Sequence, residues 1–176
     1  MKNIVYVFLI SILPIVELRG AIPAGAALGV PFYWNYLAAV VGNMLPVPFI
    51  LLFIPKILDL LERVKIFRLI VGWVRKKAHK YKGKILNYGQ DADVENATEN
   101  VAPKKKRLGG WFWGLLFFVM IPLPGTGAWT GSLIASLFEL PKRKSFMAAL
   151  LGVLGAGVIM CLASYGVVGF LKIFIG

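Results

Sequence analysis

Long apolar stretches form the main pattern of this chain. Four of them stand out, at 3–32, 33–54, 110–139 and 145–174. As a helix rising about 1.5 Å per residue, each is long enough to meet a hydrocarbon layer about 30 Å thick. Of the 176 residues, 59% are hydrophobic and only 16% are charged, unlike an average soluble domain. The pattern predicts an all-α integral membrane protein.

Proline and glycine interrupt the first and third stretches near their middles, at 13–23 and 121–131. A proline has no backbone N–H to donate and disfavours the helical conformation in the residue before it. Each interrupted stretch should therefore form two arms of about 11 or 12 residues, about 16–18 Å long, which reach half way across a membrane. The prolines predicted to break these helices are Pro14, Pro23, Pro122 and Pro124.

The two halves of the chain follow the same order of elements. Shifting the sequence by 110 positions places LAAVVG at 37–42 over MAALLG at 147–152, and Pro31 over Pro141. In both halves an apolar arm precedes a proline- and glycine-rich break, a second short arm, a proline turn and a long apolar helix. This order predicts two repeats, each a helical hairpin followed by a transmembrane helix.

The distribution of basic residues favours one membrane topology. Seventeen of the 20 Lys and Arg residues lie either in 56–107 or in the loop 140–145. If both broken stretches were kinked full spans, these two segments would face opposite sides. If both are re-entrant hairpins, all 17 face the cytoplasm, as the positive-inside rule favours. An arrangement in which only the first stretch spans the membrane also satisfies the rule.

The favoured topology predicts two inverted repeats in the cell (inner) membrane, with both termini outside the cytoplasm. Repeat 1 (1–55) has its re-entrant hairpin at 3–32 and its transmembrane helix at 33–54. Repeat 2 (108–176) has its hairpin at 110–139 and its helix at 145–174. The cytoplasmic linker 56–107 begins with apolar residues at helical spacing among Lys and Arg, and it ends in a polar segment predicted to be disordered. The pattern allows either a helix lying on anionic inner-leaflet lipids or a solvated helix packed against the protein.

Two charged residues lie inside the apolar stretches. Glu17 is the only acidic residue away from the predicted cytoplasmic segments, and Arg19 is the only basic residue that lies inside a stretch away from its ends. Placing either near the bilayer centre costs about 2.5–3.5 kcal/mol, so each needs compensation. Non-helical backbone at that depth must face protein or water, so we expect both side chains to line a cavity. A buried ion pair that only holds the hairpin together is the alternative.

Several hydrogen-bond donors converge at the breaks and favour an anion-binding site. The second arms are predicted to begin near Gly20 and Gly127, so that free N–H groups at two helix N-termini point into the cavity. Arg19 adds a planar guanidinium suited to phosphate or carboxylate oxygens. Burial favours a protonated carboxyl group and Arg19 favours a charged one, so Glu17 is the predicted proton-coupling residue. The predicted substrate-binding residues are Glu17, Arg19, Gly20, Gly125, Thr126, Gly127 and Thr130.

The strings ELRGAIP at 17–23 and PLPGTGAWTG at 122–131 closely resemble those of the prokaryotic small multi-drug export proteins. The resemblance covers nearly the whole chain apart from the linker. That family is similar to the wider DedA superfamily, whose members share inverted re-entrant hairpins and include proteins implicated in flipping undecaprenyl phosphate or phospholipids. The resemblance implies a small transporter or lipid flippase for an anionic, phosphate-bearing lipid, with Glu17 at the acidic position of the first hairpin. The arginine that DedA proteins carry beside the second turn is missing here.

Two other functions stay open. A small drug/proton exporter needs a cavity suited to organic cations, which Glu17 permits and Arg19 disfavours. The turn Pro124-Gly125-Thr126 also resembles that of undecaprenyl pyrophosphate phosphatases, which need a pair of glutamates and an arginine after the turn. This chain has one such glutamate and no such arginine, so we do not expect an enzyme.

The remaining composition limits the ligands and partners that the sequence predicts. His79 is the only histidine and Cys161 the only cysteine, so the sequence predicts neither a metal site nor a cofactor. The formal charge of +12 does not predict nucleic-acid binding, because the basic residues are segregated into the cytoplasmic segments. Two spans and two hairpins enclose little volume, so a homodimer among membrane lipids is expected.

Overall fold

A computed structural model describes residues 2–62, 72, 109–123 and 125–175, and the regular structure in these ranges is α-helical. The helices of the first half are α1 (Lys2–Ile12), α2 (Glu17–Ala27), α3 (Phe32–Met44) and α4 (Pro46–Glu62). Those of the second half are α5 (Gly110–Met120), α6 (Ala128–Leu137) and α7 (Lys142–Ile175). The predicted all-helical class is confirmed. Pro124 and, apart from Gly72, the predicted linker beyond Glu62 lie outside the described residues.

Two helices are long and apolar enough to cross a membrane: Phe32–Leu60, with 29 residues, and Lys142–Val167, with 26. The first combines α3 and α4, which are joined through Leu45, whose backbone is itself helical at φ −57 and ψ −46. It exceeds the predicted 33–54, because apolar residues continue at helical spacing beyond Pro55.

Both predicted breaks interrupt the helices. The first break is 13–16, between α1 and α2, and it contains Pro14. The second is 121–127, between α5 and α6, and it contains Pro122. The helices end at these prolines because the ring removes a donor and restricts the residue before it.

Two predictions about α2 are wrong. Its first residue is Glu17 rather than one near Gly20, and Pro23 lies inside the helix instead of breaking it. Asn35 of α3 donates a hydrogen bond to the carbonyl of Ile22, beside the proline, at 2.8 Å. The bond that the proline removes is the one to the carbonyl of Arg19, four residues earlier, and packing against α1, α3 and α7 keeps α2 helical without it.

The turn after each second arm has the same backbone conformation in both halves. In each, an amide donates to the carbonyl five positions earlier, and the residue before that amide has a positive φ. This is the Schellman arrangement, which satisfies the last carbonyls of a helix. The residues are Gly29 (φ 72) and Val30 after α2, and Glu139 (φ 49) and Leu140 after α6. The shift of 110 positions therefore relates backbone geometry as well as sequence.

The packing of the helices also repeats. Each first arm packs on the long helix of its own half, α1 on α3 and α5 on α7. Each second arm also packs on the long helix of the other half, α2 on α7 and α6 on α4. A Cβ atom on Gly42 would lie 2.5 Å from the carbonyl oxygen of Phe8, and one on Gly152 would lie 2.8 Å from that of Leu116. Glycine thus lets each first arm approach its long helix closely.

Candidate functional site

Residues at the edges of the two breaks contact each other. Arg19 of α2 donates a hydrogen bond to Oγ1 of Thr126 at 3.0 Å, and the backbone N–H of Trp129 donates to Oε1 of Glu17 at 3.3 Å. Glu17 is only 4% exposed, and the side chain of Arg19 is 13% exposed. We refer to Glu17, Arg19, Thr126, Gly127 and Trp129 as the junction. It lies between the two halves, where the sequence predicts convergence.

The carboxylate of Glu17 lies at the N-terminus of α6. Gly127 is the N-cap residue of that helix, and a Cβ atom there would lie 1.4 Å from Oε2 of Glu17. Only glycine at this position leaves room for the carboxylate. The backbone of Glu17 has φ 51, in the left-handed region that residues with a side chain rarely adopt. A negative charge is favoured at a helix N-terminus, where N–H groups have no partner within the helix.

Arg19 connects the junction to the end of α5. Its Nη2 donates to the carbonyl oxygen of Ile121 at 2.9 Å and to that of Val119 at 3.3 Å, in addition to Thr126. Ile121 is the C-cap residue of α5, and the last carbonyls of a helix favour a cation. Nη1 lies 3.6 Å from Oε2 of Glu17. Three neutral oxygens of the second half therefore hold the guanidinium, together with one carboxylate from its own half.

The side chain of Trp129 donates a hydrogen bond from the second half to the first, as that of Arg19 does from the first half to the second. Its Nε1 donates to the carbonyl oxygen of Ile12, the last residue of α1, at 3.0 Å. The shift of 110 positions places Arg19 over Trp129 and Glu17 over Gly127. Each half thus extends one long N–H donor to the end of the other half's first arm. Equivalent segments of the two halves form the junction, and only one half supplies the charges.

The other predicted binding residues are Gly20, Gly125 and Thr130. The N–H of Gly20 donates to the carbonyl of Val16 at 3.0 Å, so the prediction that it points freely into a cavity is wrong. A Cβ atom on Gly20 would meet the side chain of Val16 at 2.3 Å, so this glycine serves close packing. Gly125 is exposed in the second break with φ 85, and Thr130 is half-buried in the first turn of α6. Their part in binding stays a prediction.

Sequence reasoning did not include Trp129 among the binding residues, although its backbone N–H and its indole N–H both donate to the first half. The sequence contained a signal for it, because the 110-residue shift aligns it with Arg19. The carbonyl groups of Ile12 and Ile121 carry no side-chain signal at all. They take part because a helix that ends inside the protein leaves carbonyls that need donors.

The junction contains the groups that bind an anion, and the carboxylate of Glu17 already contacts them. A carboxylate, a guanidinium and a helix N-terminus lie within hydrogen-bonding reach of one another, and the two formal charges compensate. Within the described ranges no group of three or more His, Cys, Asp or Glu side chains is placed to hold a metal ion.

A model of the family described as "Putative small multi-drug export protein" matches residues 17–159, which begin at the first residue of α2 and include the second break and most of both long helices. No curated protein and no solved structure matches the chain.

Proposed function

The chain belongs to this family of small multi-drug export proteins, and we propose that it is a transporter that moves an anionic group across the membrane past the junction. The family description and the two long apolar helices make it a membrane protein with a transport function. The substrate class, the ion coupling and the topology are the parts that we propose.

The proposed topology is a pair of inverted repeats with re-entrant hairpins, in which α3 and α7 occupy equivalent places. Asn35, near the start of α3, donates to Tyr165, towards the end of α7. Five residues further along α3, Val40 lies against Gly157, eight residues earlier on α7. We propose that the two helices run antiparallel, as equivalent helices do in repeats that are inverted with respect to the membrane. The basic linker and the loop 140–145 would then share the cytoplasmic face.

The position of the Glu17 carboxylate is the observation that carries the proposal. It accepts a hydrogen bond from Trp129 N–H at the N-terminus of α6 and pairs with Arg19. An anionic group on a substrate would bind the same N–H and the same guanidinium. The carboxylate is a tethered anion that keeps the site filled until a substrate replaces it.

Replacement is easier for Glu17 than for Arg19, because the two have different numbers of other partners. Arg19 keeps three neutral acceptors in the second half when the carboxylate leaves. Glu17 has the single 3.3 Å bond from Trp129 besides its ion pair. Protonation of Glu17 would remove its charge and the ion pair with Arg19 and would weaken the bond from Trp129, so that the guanidinium and the helix N-terminus become available to an incoming anion. The proposal therefore couples binding of one proton to binding of one anion.

We propose a phosphate-bearing lipid as the substrate class. Guanidinium and helix N-termini suit phosphate oxygens, and a site between short arms in the membrane is within reach of lipid headgroups. A second copy of the chain, forming a homodimer, would enlarge the space available to such a substrate.

Export of an organic cation is the second candidate, and the family description is what favours it. A cation would have to pair with Glu17 after displacing Arg19, which the second half holds with three hydrogen bonds. The contacts therefore favour the anion. We do not expect the purified protein to hydrolyse lipid pyrophosphate, a reaction that would release inorganic phosphate from the lipid.

The test is transport by the full chain reconstituted in liposomes, with undecaprenyl phosphate and ethidium as probes at several pH gradients. We expect proton-dependent movement of the phosphate lipid, none with Arg19→Gln, and movement insensitive to the gradient with Glu17→Gln. Gly114→Ala, on α5 where a Cβ atom meets nothing within 4 Å, is the control and should retain transport. Equal activity of all variants on the lipid would remove the junction from the mechanism, and movement of ethidium alone would replace the anion with a cation.

A further inference from the structure

Asn43 is a buried side chain of α3 whose amide has no partner in the described part of the chain. It is fully buried, and neither its Nδ2 nor its Oδ1 makes a hydrogen bond there. Buried polar side-chain atoms nearly always have a partner, because leaving one without a partner costs free energy. In natural proteins, departures from such rules are expected at functional sites. The amide is therefore a candidate for binding a group that the protein carries.

The turn of α3 that carries Asn43 lies beside the junction. A Cβ atom on the preceding residue, Gly42, would meet Oγ of Ser11 on α1. Ile12, which follows Ser11 and ends α1, accepts the hydrogen bond from the indole of Trp129. This turn of α3 therefore packs against the first arm where that arm reaches the junction.

The long helix of the second half passes the junction at the equivalent turn. A Cβ atom on Gly152, which is equivalent to Gly42, would lie 2.7 Å from Cβ of Val119. The carbonyl oxygen of Val119 accepts a hydrogen bond from Arg19 at 3.3 Å. Both long helices thus reach the level of the junction at these two glycines, and Asn43 is the residue that follows one of them.

Arg19 also has a nitrogen without a partner. Its Nε is buried and makes no hydrogen bond within the described ranges, whereas its Nη2 donates to three oxygens of the second half. An anion at the junction could accept from Nε of Arg19 and from Nδ2 of Asn43, in addition to the N–H of Trp129. Oδ1 of Asn43 only accepts hydrogen bonds, so it needs a ligand that also donates one.

Two other buried side-chain oxygens have no partner among the described residues, and they lie away from this level. They are Oδ1 of Asn35 and Oγ of Ser145. Asn35 is eight residues before Asn43 on α3, and Ser145 is at the equivalent place on α7. Eight residues are about 12 Å along a helix. Of these three acceptors, Oδ1 of Asn43 is the one at the level of the junction.

A phosphate monoester that carries one proton has both kinds of group that the amide lacks. The second pKa of such a monoester is about 6, so at about pH 5 it has one P–OH group beside its unprotonated oxygens. A phosphate diester carries the same single negative charge but has no P–OH group. Both can accept from the donors of the junction, and only the monoester can donate to Oδ1 of Asn43.

We propose that Asn43 selects phosphate monoesters over diesters: Nδ2 donates to a phosphate oxygen and Oδ1 accepts from the P–OH group once the phosphate has replaced the carboxylate of Glu17. This inference rests on the proposed binding of an anion at the junction. It adds a specificity-determining residue from the core of the protein. It also narrows the phosphate-bearing lipid to one chemical class.

The test compares two lipids that differ in one methyl group. Dodecyl phosphate is a monoester, and dodecyl methyl phosphate is a diester with the same alkyl chain. Both are titrated by calorimetry into the full chain in nonionic detergent at about pH 5, where each carries one negative charge. The variants are Asn43→Leu and, as a matched control, Ser145→Ala, which removes another buried hydroxyl without a described partner.

We expect the unchanged protein to bind the monoester about tenfold more tightly than the diester, because the diester leaves Oδ1 buried without a donor. Asn43→Leu should remove this preference, mainly by weakening binding of the monoester, and Ser145→Ala should retain it. Binding of the diester by Asn43→Leu shows that this variant is folded. Equal affinities in the unchanged protein, or a preference that persists in Asn43→Leu, would overturn the role of Asn43.

Further outcomes separate this inference from the proposed function. If both lipids bind equally and Arg19→Gln abolishes both, the anion site stands and selection by Asn43 is wrong. If the preference depends on Asn43 but undecaprenyl phosphate is not moved in liposomes, the binding role stands and transport is wrong. If neither lipid binds, both proposals are wrong. Inorganic phosphate, titrated in the same way, should bind more weakly than the monoester, and equally tight binding would overturn the lipid as the ligand.

Discussion

Glu17 and Gly127 occupy equivalent positions in the two halves of the chain, and they touch each other. A Cβ atom on Gly127 would lie 1.4 Å from Oε2 of Glu17. Two equivalent residues can touch each other only where the two halves of the chain meet. Gly127 has no side chain, and the carboxylate of Glu17 fills the space that a side chain there would occupy.

The first prediction concerns this contact. Gly127→Ala should lower the free energy of unfolding by about 1–3 kcal/mol or more, because the methyl group and the carboxylate need the same volume. The cost should fall in a Glu17→Ala background, where the carboxylate is gone. Equilibrium unfolding in mixed detergent micelles measures both values. Gly114→Ala, at a helical position where a Cβ atom meets nothing within 4 Å, is the control and should be neutral or slightly stabilising.

The second prediction compares the two donors that cross between the halves. Arg19→Gln should destabilise the protein by about 3–5 kcal/mol, because it leaves the buried carboxylate of Glu17 without its counter-charge. Trp129→Phe should cost about 1–3 kcal/mol, because it leaves only the carbonyl of Ile12 without its donor. Thermal unfolding of the two variants in one detergent gives the order. A larger loss for Trp129→Phe would mean that packing of the indole, and not the charge, holds the halves together.

Sequence periodicity predicted the helices, and the prolines predicted where two of them break. Apolar stretches interrupted at Pro14 and Pro122 left few choices for α1, α2, α5 and α6. Pro23 misled because the helix continues through it although one backbone donor is missing. Packing of α2 against α1, α3 and α7 keeps that turn helical, and a local sequence pattern does not contain such packing.

The charged part of the junction could be predicted, and its geometry could not. Glu17 and Arg19 were visible because charged residues are rare in apolar stretches. The start of α2 at Glu17, three residues before Gly20, depends on a positive φ at a glutamate. A sequence gives no sign of such a conformation, because residues other than glycine adopt it only when the surrounding structure imposes it. Because α2 begins at Glu17, the N–H of Gly20 bonds to the carbonyl of Val16 and is not free to bind a substrate.

A third prediction tests the repeat through its close helix crossings. Gly42→Ala and Gly152→Ala should each destabilise the protein by about 1–3 kcal/mol, because the added methyl group meets a backbone carbonyl that cannot move aside. Similar losses are expected because the two crossings are equivalent. Gly166→Ala on α7, where a Cβ atom meets nothing within 4 Å, should show no loss. A loss of stability in only one of these two variants would mean that the two halves are equivalent in their second arms alone.

The last prediction uses two asparagines of α3 that are both fully buried, at 0% exposure. Asn35 donates to Ile22 and to Tyr165, whereas neither side-chain polar atom of Asn43 has a hydrogen-bond partner in the described part of the chain. Burying a polar group without a partner costs about 1–3 kcal/mol, and removing a partnered one exposes its neighbours to the same cost. The same replacement should therefore act in opposite directions, with Asn35→Leu lowering the unfolding midpoint and Asn43→Leu raising it. Both midpoints are measured in one detergent, so that differences in solvent cancel. A fall for Asn43→Leu would show that its amide binds something in the working protein, and transport by that variant would then be the measurement that identifies whether the bound group lies on the route.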